Sequence, residues 1–216
     1  MKAVIFDLDG TLLNCPYDFV KMRAAVLALI GKYGLARGEF GGLGVLEAVA
    51  EAQGRLGGEE GERFRGEADD AILAIELEGA SHSLPLEGAK EALEWMRGAG
   101  LKIGIVTRNS GKVVEQLLAR VAFSYDALLA REDVPQVKPH PAHVTMMLAR
   151  LGCQAAEAIM VGDHVWDMEC GRAVGLRCVG VATGASSAEA LFEAGAEAVL
   201  EGIALLPTWL RDNCLI

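Results

Sequence analysis

The sequence is poor in three features that would point to particular protein classes: paired cysteines, positive charge and long apolar runs. Its five cysteines are odd in number and show no CxxC spacing, which argues against a disulfide framework and against a thiolate zinc site. Acidic residues outnumber Lys and Arg by 30 to 20, so the clustered positive charge of a nucleic-acid binder is absent. No apolar run approaches the ~20 residues of a transmembrane helix.

The remaining composition predicts a globular protein of the reducing cytoplasm. Hydrophobic residues make up 52% of the 216 residues, which excludes a disordered chain. The N-terminal apolar run Ala3–Phe6 is too short for the core of a signal peptide. We therefore expect neither nucleic acid nor a membrane as a partner. A net charge of −10 still allows a local site to bind a small phosphorylated molecule.

Short apolar runs that alternate with helical spacing predict an α/β fold with a parallel sheet. Runs typical of strands buried on both faces lie at Ala3–Phe6, Lys102–Thr107, Ala158–Gly162 and Arg177–Ala182, with a further strand expected near Tyr125–Leu129. The segments between them place apolar residues at helical intervals.

Residues 14–83 break this alternation. They show helical spacing interrupted by glycines but no convincing strand, and turn signals at Asn14–Pro16 and Leu84-Pro85 mark their two connections. The pattern predicts a helical insert at 14–83 within an α/β domain formed by 1–13 and 84–216. Residues 39–80 carry a charge balance of −8, which is typical of a solvated helical face.

Two carboxylates follow the first predicted strand in the segment Asp7-Leu8-Asp9-Gly10-Thr11. If the strand conformation persists, its period of two points Asp7 and Asp9 the same way. Such a pair can supply a nucleophile and a nearby acid or base. Gly10 lets the backbone approach an anion closely, and we expect free N–H groups there to bind phosphate oxygens. The plainer alternative is a strand end followed by a polar turn.

Further polar side chains lie at or just after other sheet elements. Thr107 and Arg108 follow one strand, Asp163 and Asp167 follow another, and Lys138 lies in a proline-rich segment between them. Each feature alone fits an ordinary helix cap or surface loop. Because ligands in open α/β sheets bind at the carboxyl ends of the strands, we expect the whole set to converge there.

The predicted cluster of acids requires a counter-charge. Asp7, Asp9, Asp163 and Asp167 would repel one another without a hard cation, so Mg²⁺ is the expected cofactor. Lys138 would neutralise part of the remaining charge.

Together these segments resemble the four motifs of the haloacid dehalogenase-like superfamily in order and spacing. The matching residues are Asp7–Thr11, Thr107, Lys138-Pro139 and Gly162–Asp167. The resemblance covers nearly the whole chain and implies a Rossmann-like three-layer α/β/α core with an inserted helical C1 cap. Leu84–Gly88, ahead of a predicted helix, is similar to phosphoglycolate phosphatase-like members of the superfamily.

The resemblance implies a Mg²⁺-dependent phosphatase that hydrolyses a small phosphomonoester metabolite through an aspartyl-phosphate. Asp7 resembles the nucleophile, and Asp9 resembles the general acid and base. Asp7, the main-chain carbonyl of Asp9 and Asp163 resemble the metal ligands, and Asp167 matches an acid that supports the metal shell or orients Lys138.

The same resemblance implies how the transferring phosphoryl group is held. Thr107, the Arg108 amide and Lys138 match the groups that bind its oxygens. Such groups matter because positioning and charge neutralisation provide most of the catalysis in phosphoryl transfer.

Several alternatives stay open. Asp9 favours phosphoryl chemistry over dehalogenation, which needs no leaving-group acid. A phosphomutase or pyrophosphatase of the same superfamily, or a catalytically silent phosphate-binding or interaction protein, also fits the motifs. The substrate is not named by the sequence, and either a monomer or a homodimer is compatible with it.

Overall fold

A computed structural model describes all 216 residues. The chain divides into two compact units. The first, here called the α/β unit, comprises Met1–Cys15 and Ser83–Ile216, and the second, the helical unit, comprises Pro16–His82. Neither unit contains a helix whose length and apolar character would let it span a bilayer.

The α/β unit is built on a parallel sheet of six strands, which confirms the predicted fold class. The strands of the chain are β1 (Ala3–Phe6), β2 (Leu13–Asn14), β3 (Leu84–Pro85), β4 (Lys102–Val106), β5 (Ala127–Leu129), β6 (Ala158–Gly162), β7 (Arg177–Val181) and β8 (Ala198–Leu200). The sheet runs in the order β5-β4-β1-β6-β7-β8, and β2 pairs separately with β3. All neighbours in the large sheet are parallel.

The strand order explains where a site can form. The chain moves outward from β1 through β4 to β5, then returns to the other side of β1 for β6 and continues to β8. This reversal leaves a crevice at the carboxyl ends of the central strands, where open α/β sheets bind ligands. Strand β1 lies at the centre, and all four of its residues are buried, which accounts for its uninterrupted apolar sequence.

The helices are α1 (Phe19–Lys32), α2 (Val45–Leu56), α3 (Gly58–Ala80), α4 (Ala89–Gly98), α5 (Gly111–Val121), α6 (Ala142–Leu151), α7 (Val165–Val174), α8 (Ala188–Ala194) and α9 (Leu206–Asp212). Helices α6, α7 and α8 form one packed row, whereas α4 packs against α9. Short 3₁₀ turns occur at Arg37–Phe40, Arg131–Asp133, Ala155–Glu157 and Ile203–Leu205.

The helical unit has a core of its own. Apolar residues at helical spacing on α1 and α3, such as Val26, Ile30 and Ile72, pack together with the fully buried Phe40 and Phe64. This arrangement follows from the amphipathic pattern of the helices.

The basic residues of α1 are bound within the helical unit. Lys21 pairs with Glu78 of α3, and Lys32 pairs with Glu67 of α3. Arg23 donates to main-chain carbonyls between residues 40 and 43. Its guanidinium thus stabilises the turn that follows α1.

Candidate active site

Three predicted site residues meet because three neighbouring strands end at one edge of the sheet. Asp7 directly follows β1, Thr107 follows β4 and Asp163 follows β6. Since β1 pairs in parallel with both β4 and β6, their carboxyl ends lie side by side. All three side chains are buried. The structure therefore brings them together where the sheet topology places a ligand site.

Lys138 lies between two carboxylates at this edge. Its Nζ is 2.5 Å from Asp7 Oδ1 and 2.6 Å from Asp167 Oδ1, and its side chain is 2% exposed. Burial alone would lower the pKa of Lys138, but the charges of Asp167 and Asp7 outweigh it and hold that pKa above its ordinary value. The ammonium therefore stays charged and neutralises part of the acid cluster.

Asp163 accepts hydrogen bonds only from neutral groups. Thr11 Oγ1 donates to its Oδ1 at 3.0 Å, and the Ala185 N–H donates to its Oδ2 at 2.8 Å. Burial, followed by the nearby charges of Asp7 and Asp167, raises the pKa of Asp163 to about 8. The site thus contains more negative charge than Lys138 compensates.

The acid cluster fits a hard divalent cation. One carboxylate oxygen from each of Asp7, Asp163 and Asp167 lies within 4.8 Å of the others. Oxygen ligands of this kind suit Mg²⁺, and a cation would offset both the burial and the neighbouring charges that raise the pKa of Asp163. Both oxygens of Asp167 already accept hydrogen bonds, Oδ1 from Lys138 and Oδ2 from the His164 N–H, whereas Lys138 binds only Oδ1 of Asp7. Asp7 and Asp163 are therefore the better placed pair of carboxylate ligands.

The Asp9 carboxylate is held by the loop that follows β4. Asn109 Nδ2 donates to Asp9 Oδ2 at 2.8 Å, and Thr107 Oγ1 donates to the same oxygen at 3.3 Å. The Asn109 N–H donates to Thr107 Oγ1 at 3.1 Å. This network fixes Asp9 close to the end of β4, one strand away from the end of β1 that carries Asp7.

Gly10 has a different role from the predicted one. Its N–H donates to Leu13 O at 2.7 Å, so it is not the free phosphate-binding group that the sequence predicts. Its φ of +78° belongs to the left-handed region, and a Cβ there would lie 2.6 Å from Asp163 Oδ2. Glycine is required because the turn has positive φ and because the Asp163 carboxylate packs against it.

Arg108 and Trp166 pack against each other beside the site. The Arg108 guanidinium lies 4.1 Å from the centre of the Trp166 ring and donates to Lys138 O. The His164 ring is 4.2 Å from Trp166 on centroids, and its Nδ1 accepts the Trp166 N–H at 3.1 Å. His164 therefore packs against Trp166 and caps α7.

Several residues at the site were not singled out by sequence reasoning. Thr11 and Asn109 lie inside segments already marked by Asp9 and Thr107, so their neighbourhood was a usable signal. Gly184 and His143 gave no such signal, because their importance depends on contacts with residues distant in the sequence.

Comparison with known proteins identifies a family model and relatives that match most of the chain. The model of the family described as haloacid dehalogenase-like hydrolase matches residues 4–181. The chain is 31% identical over 218 residues to a phosphoglycolate phosphatase of Yersinia pestis, covering 96% of this chain and 92% of that protein. It is 28% identical over 204 residues to pyrophosphatase PpaX of Bacillus velezensis, covering 88% of each.

A solved structure supports the fold. A hydrolase from Pseudomonas syringae superposes with a TM-score of 0.71 at 24% identity, covering 98% of this chain and 99% of that one. At 24% identity the structural similarity shows the fold and carries no statement about activity. The match to the family model and the sequence relatives support an enzyme of the phosphatase class.

Proposed function

Because the chain belongs to the haloacid dehalogenase-like hydrolase family, we propose that it is a Mg²⁺-dependent phosphatase that hydrolyses a small phosphomonoester through an aspartyl-phosphate. The observation that carries this proposal is the buried arrangement of Asp7, Lys138 and Asp163 at the carboxyl edge of the sheet. Asp9, held nearby by Asn109, supplies the second carboxyl group that ester cleavage requires.

In the first half of the reaction, the Asp7 carboxylate attacks the phosphorus. A bond forms between an Asp7 oxygen and phosphorus while the ester bond to the leaving oxygen breaks. Asp9, in its protonated form, gives its proton to that oxygen, which leaves as an alcohol. Lys138 binds Asp7 at 2.5 Å and keeps the carboxylate oriented toward the substrate.

In the second half, water replaces Asp7 on phosphorus. Asp9, now ionised, takes a proton from the water as its oxygen bonds to phosphorus, and the Asp7–phosphorus bond breaks to release phosphate. Asp7 and Asp9 return to their starting protonation states, so protons and charge balance over the cycle. The same residue acts first as acid and then as base, and the contacts from Asn109 and Thr107 hold its carboxylate in one place throughout.

The remaining residues stabilise charge on the phosphoryl group. Thr107 and the Arg108 amide, at the end of β4, and Lys138 are proposed to bind its oxygens, while Asp167 holds Lys138 in place. Mg²⁺, held by Asp7, Asp163 and the main-chain carbonyl of Asp9, would supply a positive charge that draws the phosphate to the nucleophile. Phosphoryl transfer depends mainly on such positioning and charge neutralisation.

The substrate is proposed to be a small anionic phosphomonoester of the phosphoglycolate type, which the name of the Yersinia pestis relative supports. Pyrophosphate is the second candidate, favoured by the similarity to PpaX. The same proposal places the enzyme in the cytoplasm, in keeping with its five free cysteines, as a monomer or homodimer that requires no macromolecular partner.

A panel of phosphate esters tests this proposal. Phosphoglycolate, pyrophosphate, sugar phosphates and para-nitrophenyl phosphate are assayed with Mg²⁺ and with EDTA. We expect phosphate release only with Mg²⁺ and a loss of at least about 1,000-fold in Asp7→Asn. Asp212→Asn, an exposed acid at the end of α9, is the matched control and should keep wild-type activity.

An inert wild-type protein across the panel would favour a silent phosphate-binding protein, and an active Asp7→Asn variant would exclude Asp7 as nucleophile. Transfer of phosphate to a second hydroxyl of a sugar phosphate, without net release, would identify a phosphomutase.

A further inference from the structure

The main chain of Lys138 is bound on both sides by side chains that come from other elements. Its N–H donates to Nδ1 of His143 at 3.3 Å, and its carbonyl accepts from Nη1 of Arg108. The side-chain ammonium is bound by Asp7 and Asp167. Four groups thus fix a single lysine, two through its charge and two through its peptide groups.

His143 is placed to hold the Lys138 N–H. It lies in the first turn of α6, is fully buried, and its Nε2 faces Leu129 O at 3.2 Å. Because Nδ1 accepts from Lys138, the ring proton belongs on Nε2, which donates to Leu129 O. Burial, followed by the charge of Lys138, lowers the pKa of His143 to about 4, so the neutral ring that can accept at Nδ1 persists at neutral pH.

The same contacts tie Lys138 to the sheet. Leu129 ends β5, and its carbonyl also accepts the N–H of Thr107 at 3.0 Å. His143 therefore connects the Lys138 main chain to the strand end beside the proposed phosphoryl site. Both ring nitrogens of His143 are thus paired with main-chain groups, as burial requires, and one of these groups belongs to the proposed catalytic lysine.

Arg108 is held rigidly enough to fix the other side of Lys138. Its guanidinium stacks on the Trp166 ring, and its own carbonyl accepts from Nη1 of the buried Arg131 at 3.2 Å. A planar guanidinium supported on an aromatic ring can donate in a defined direction. Here the Arg108 guanidinium donates to the Lys138 carbonyl.

We propose that His143 and Arg108 are positioning residues that set the place of Lys138 Nζ by binding the Lys138 main chain. Neither side chain is proposed to touch the reacting atoms. The catalytic consequence rests on the proposed function, in which Lys138 orients Asp7 and binds the phosphoryl group. The hydrogen bond from Lys138 to His143 can be tested without it.

Two variants of His143 separate positioning from packing. In His143→Asn the amide oxygen stands where Nδ1 stood and can accept from Lys138, whereas His143→Gln keeps a donor near Nε2 but leaves the Lys138 N–H without its acceptor. Both side chains are polar amides, so a packing role would affect both alike. The readouts are amide hydrogen exchange at Lys138, measured by NMR, and kcat and KM for para-nitrophenyl phosphate with Mg²⁺.

We expect Lys138 exchange at least ten times faster in His143→Gln than in His143→Asn, and kcat at least ten times lower, with KM changed less than threefold. Equal exchange in the two variants would overturn the role of His143. If wild-type protein has no activity on any ester, the proposed function fails, whereas the exchange experiment still decides whether His143 holds Lys138.

Arg108→Met tests the second contact, since methionine keeps an unbranched apolar stem against Trp166 but has no donor. We expect kcat to fall at least fivefold with little change in KM. A rise in KM alone would show that Arg108 contacts the substrate and would overturn its positioning role. Unchanged kcat and KM would overturn it as well.

Discussion

At the scale of single residues, the acid cluster is defined as much by glycines as by acids. Asp163 packs against the backbone of Gly10 on one side and of Gly184 on the other. These contacts bury the carboxylate and leave it with neutral donors only, which is why its pKa lies far above that of an exposed aspartate. The proposed cation site thus depends on small residues that keep water and side-chain volume away from an acid.

The first prediction concerns Gly184→Ala. A Cβ at Gly184 would collide with Asp163 Oδ2, so the carboxylate must turn away from the cluster. We expect the Mg²⁺ concentration for half-maximal activity to rise at least about tenfold, as for other groups that orient metal ligands. A Mg²⁺ titration of turnover measures this. Gly98→Ala, at the end of α4 with open space around its Cα, is the control and should titrate like wild type.

The second prediction concerns stability in acid. The pKa of folded His143 is about 4, whereas an unfolded histidine titrates near 6.5. Between pH 4 and pH 6.5, His143 is protonated in the unfolded chain but stays neutral in the folded chain. The stability that this group contributes is therefore fully present above about pH 6.5 and is lost as the pH falls toward 4. This group contributes at most about 3 kcal/mol to that loss.

His143→Asn removes this titration, so its stability should fall less than that of wild type between pH 6.5 and pH 4.5. Urea unfolding at both pH values measures the difference. Parallel losses in the two proteins would show that His143 does not resist protonation.

At the scale of elements, the loops at the ends of β1, β4 and β6 bring the chemistry together, and much of this was predictable. Uninterrupted apolar runs in the sequence indicate buried strands. Parallel topology then places Asp7, Thr107 and Asp163 at the same edge of the sheet. The short strand β8 and the pairing of β2 with β3 were missed, since two or three residues are too few for a periodic pattern. Contacts such as His143 with Lys138 were missed because they depend on how α6 is placed after folding.

The third prediction concerns the loop after β4, in which Asn109 binds the Asp9 carboxylate at 2.8 Å. Asn109→Ala removes that donor, so the carboxylate of Asp9 is held less firmly for its proposed role as the acid that protonates the leaving oxygen. We expect kcat to fall about 10- to 100-fold with KM nearly constant, the size typical of a general acid that is poorly placed. Steady-state kinetics on para-nitrophenyl phosphate measures both constants, and a variant with wild-type kcat would remove Asn109 from the account.

At the scale of the whole molecule, the most acidic stretch of the chain and the proposed catalytic residues belong to different units. The acidic stretch 39–80 belongs to the helical unit, whereas every proposed catalytic and metal-binding residue belongs to the α/β unit. The net negative charge of the protein therefore says little about the charge of its site, where Lys138 and a bound cation would attract a phosphate. Binding of that cation should be visible in the stability of the folded chain, since a ligand that binds only the native state raises its stability.

The fourth prediction follows from this linkage. Millimolar Mg²⁺ should raise the midpoint of thermal unfolding by several degrees, because each kcal/mol of stabilisation is worth about 2–4 °C in a chain of this size. The increase should vanish in Asp163→Asn. Asp212→Asn serves as the control and should respond to Mg²⁺ like wild type. An equal increase in all three proteins would place the cation elsewhere.

The account depends most directly on a covalent bond between Asp7 and phosphorus. Acid quenching during turnover of a phosphomonoester with Mg²⁺, followed by mass spectrometry of the N-terminal peptide, measures it. We predict one added phosphoryl group on Asp7 in wild type and none in Asp7→Asn, which should also be inactive. Turnover with no phosphoryl group on Asp7 under conditions that trap such intermediates, or activity retained in Asp7→Asn, would contradict the account.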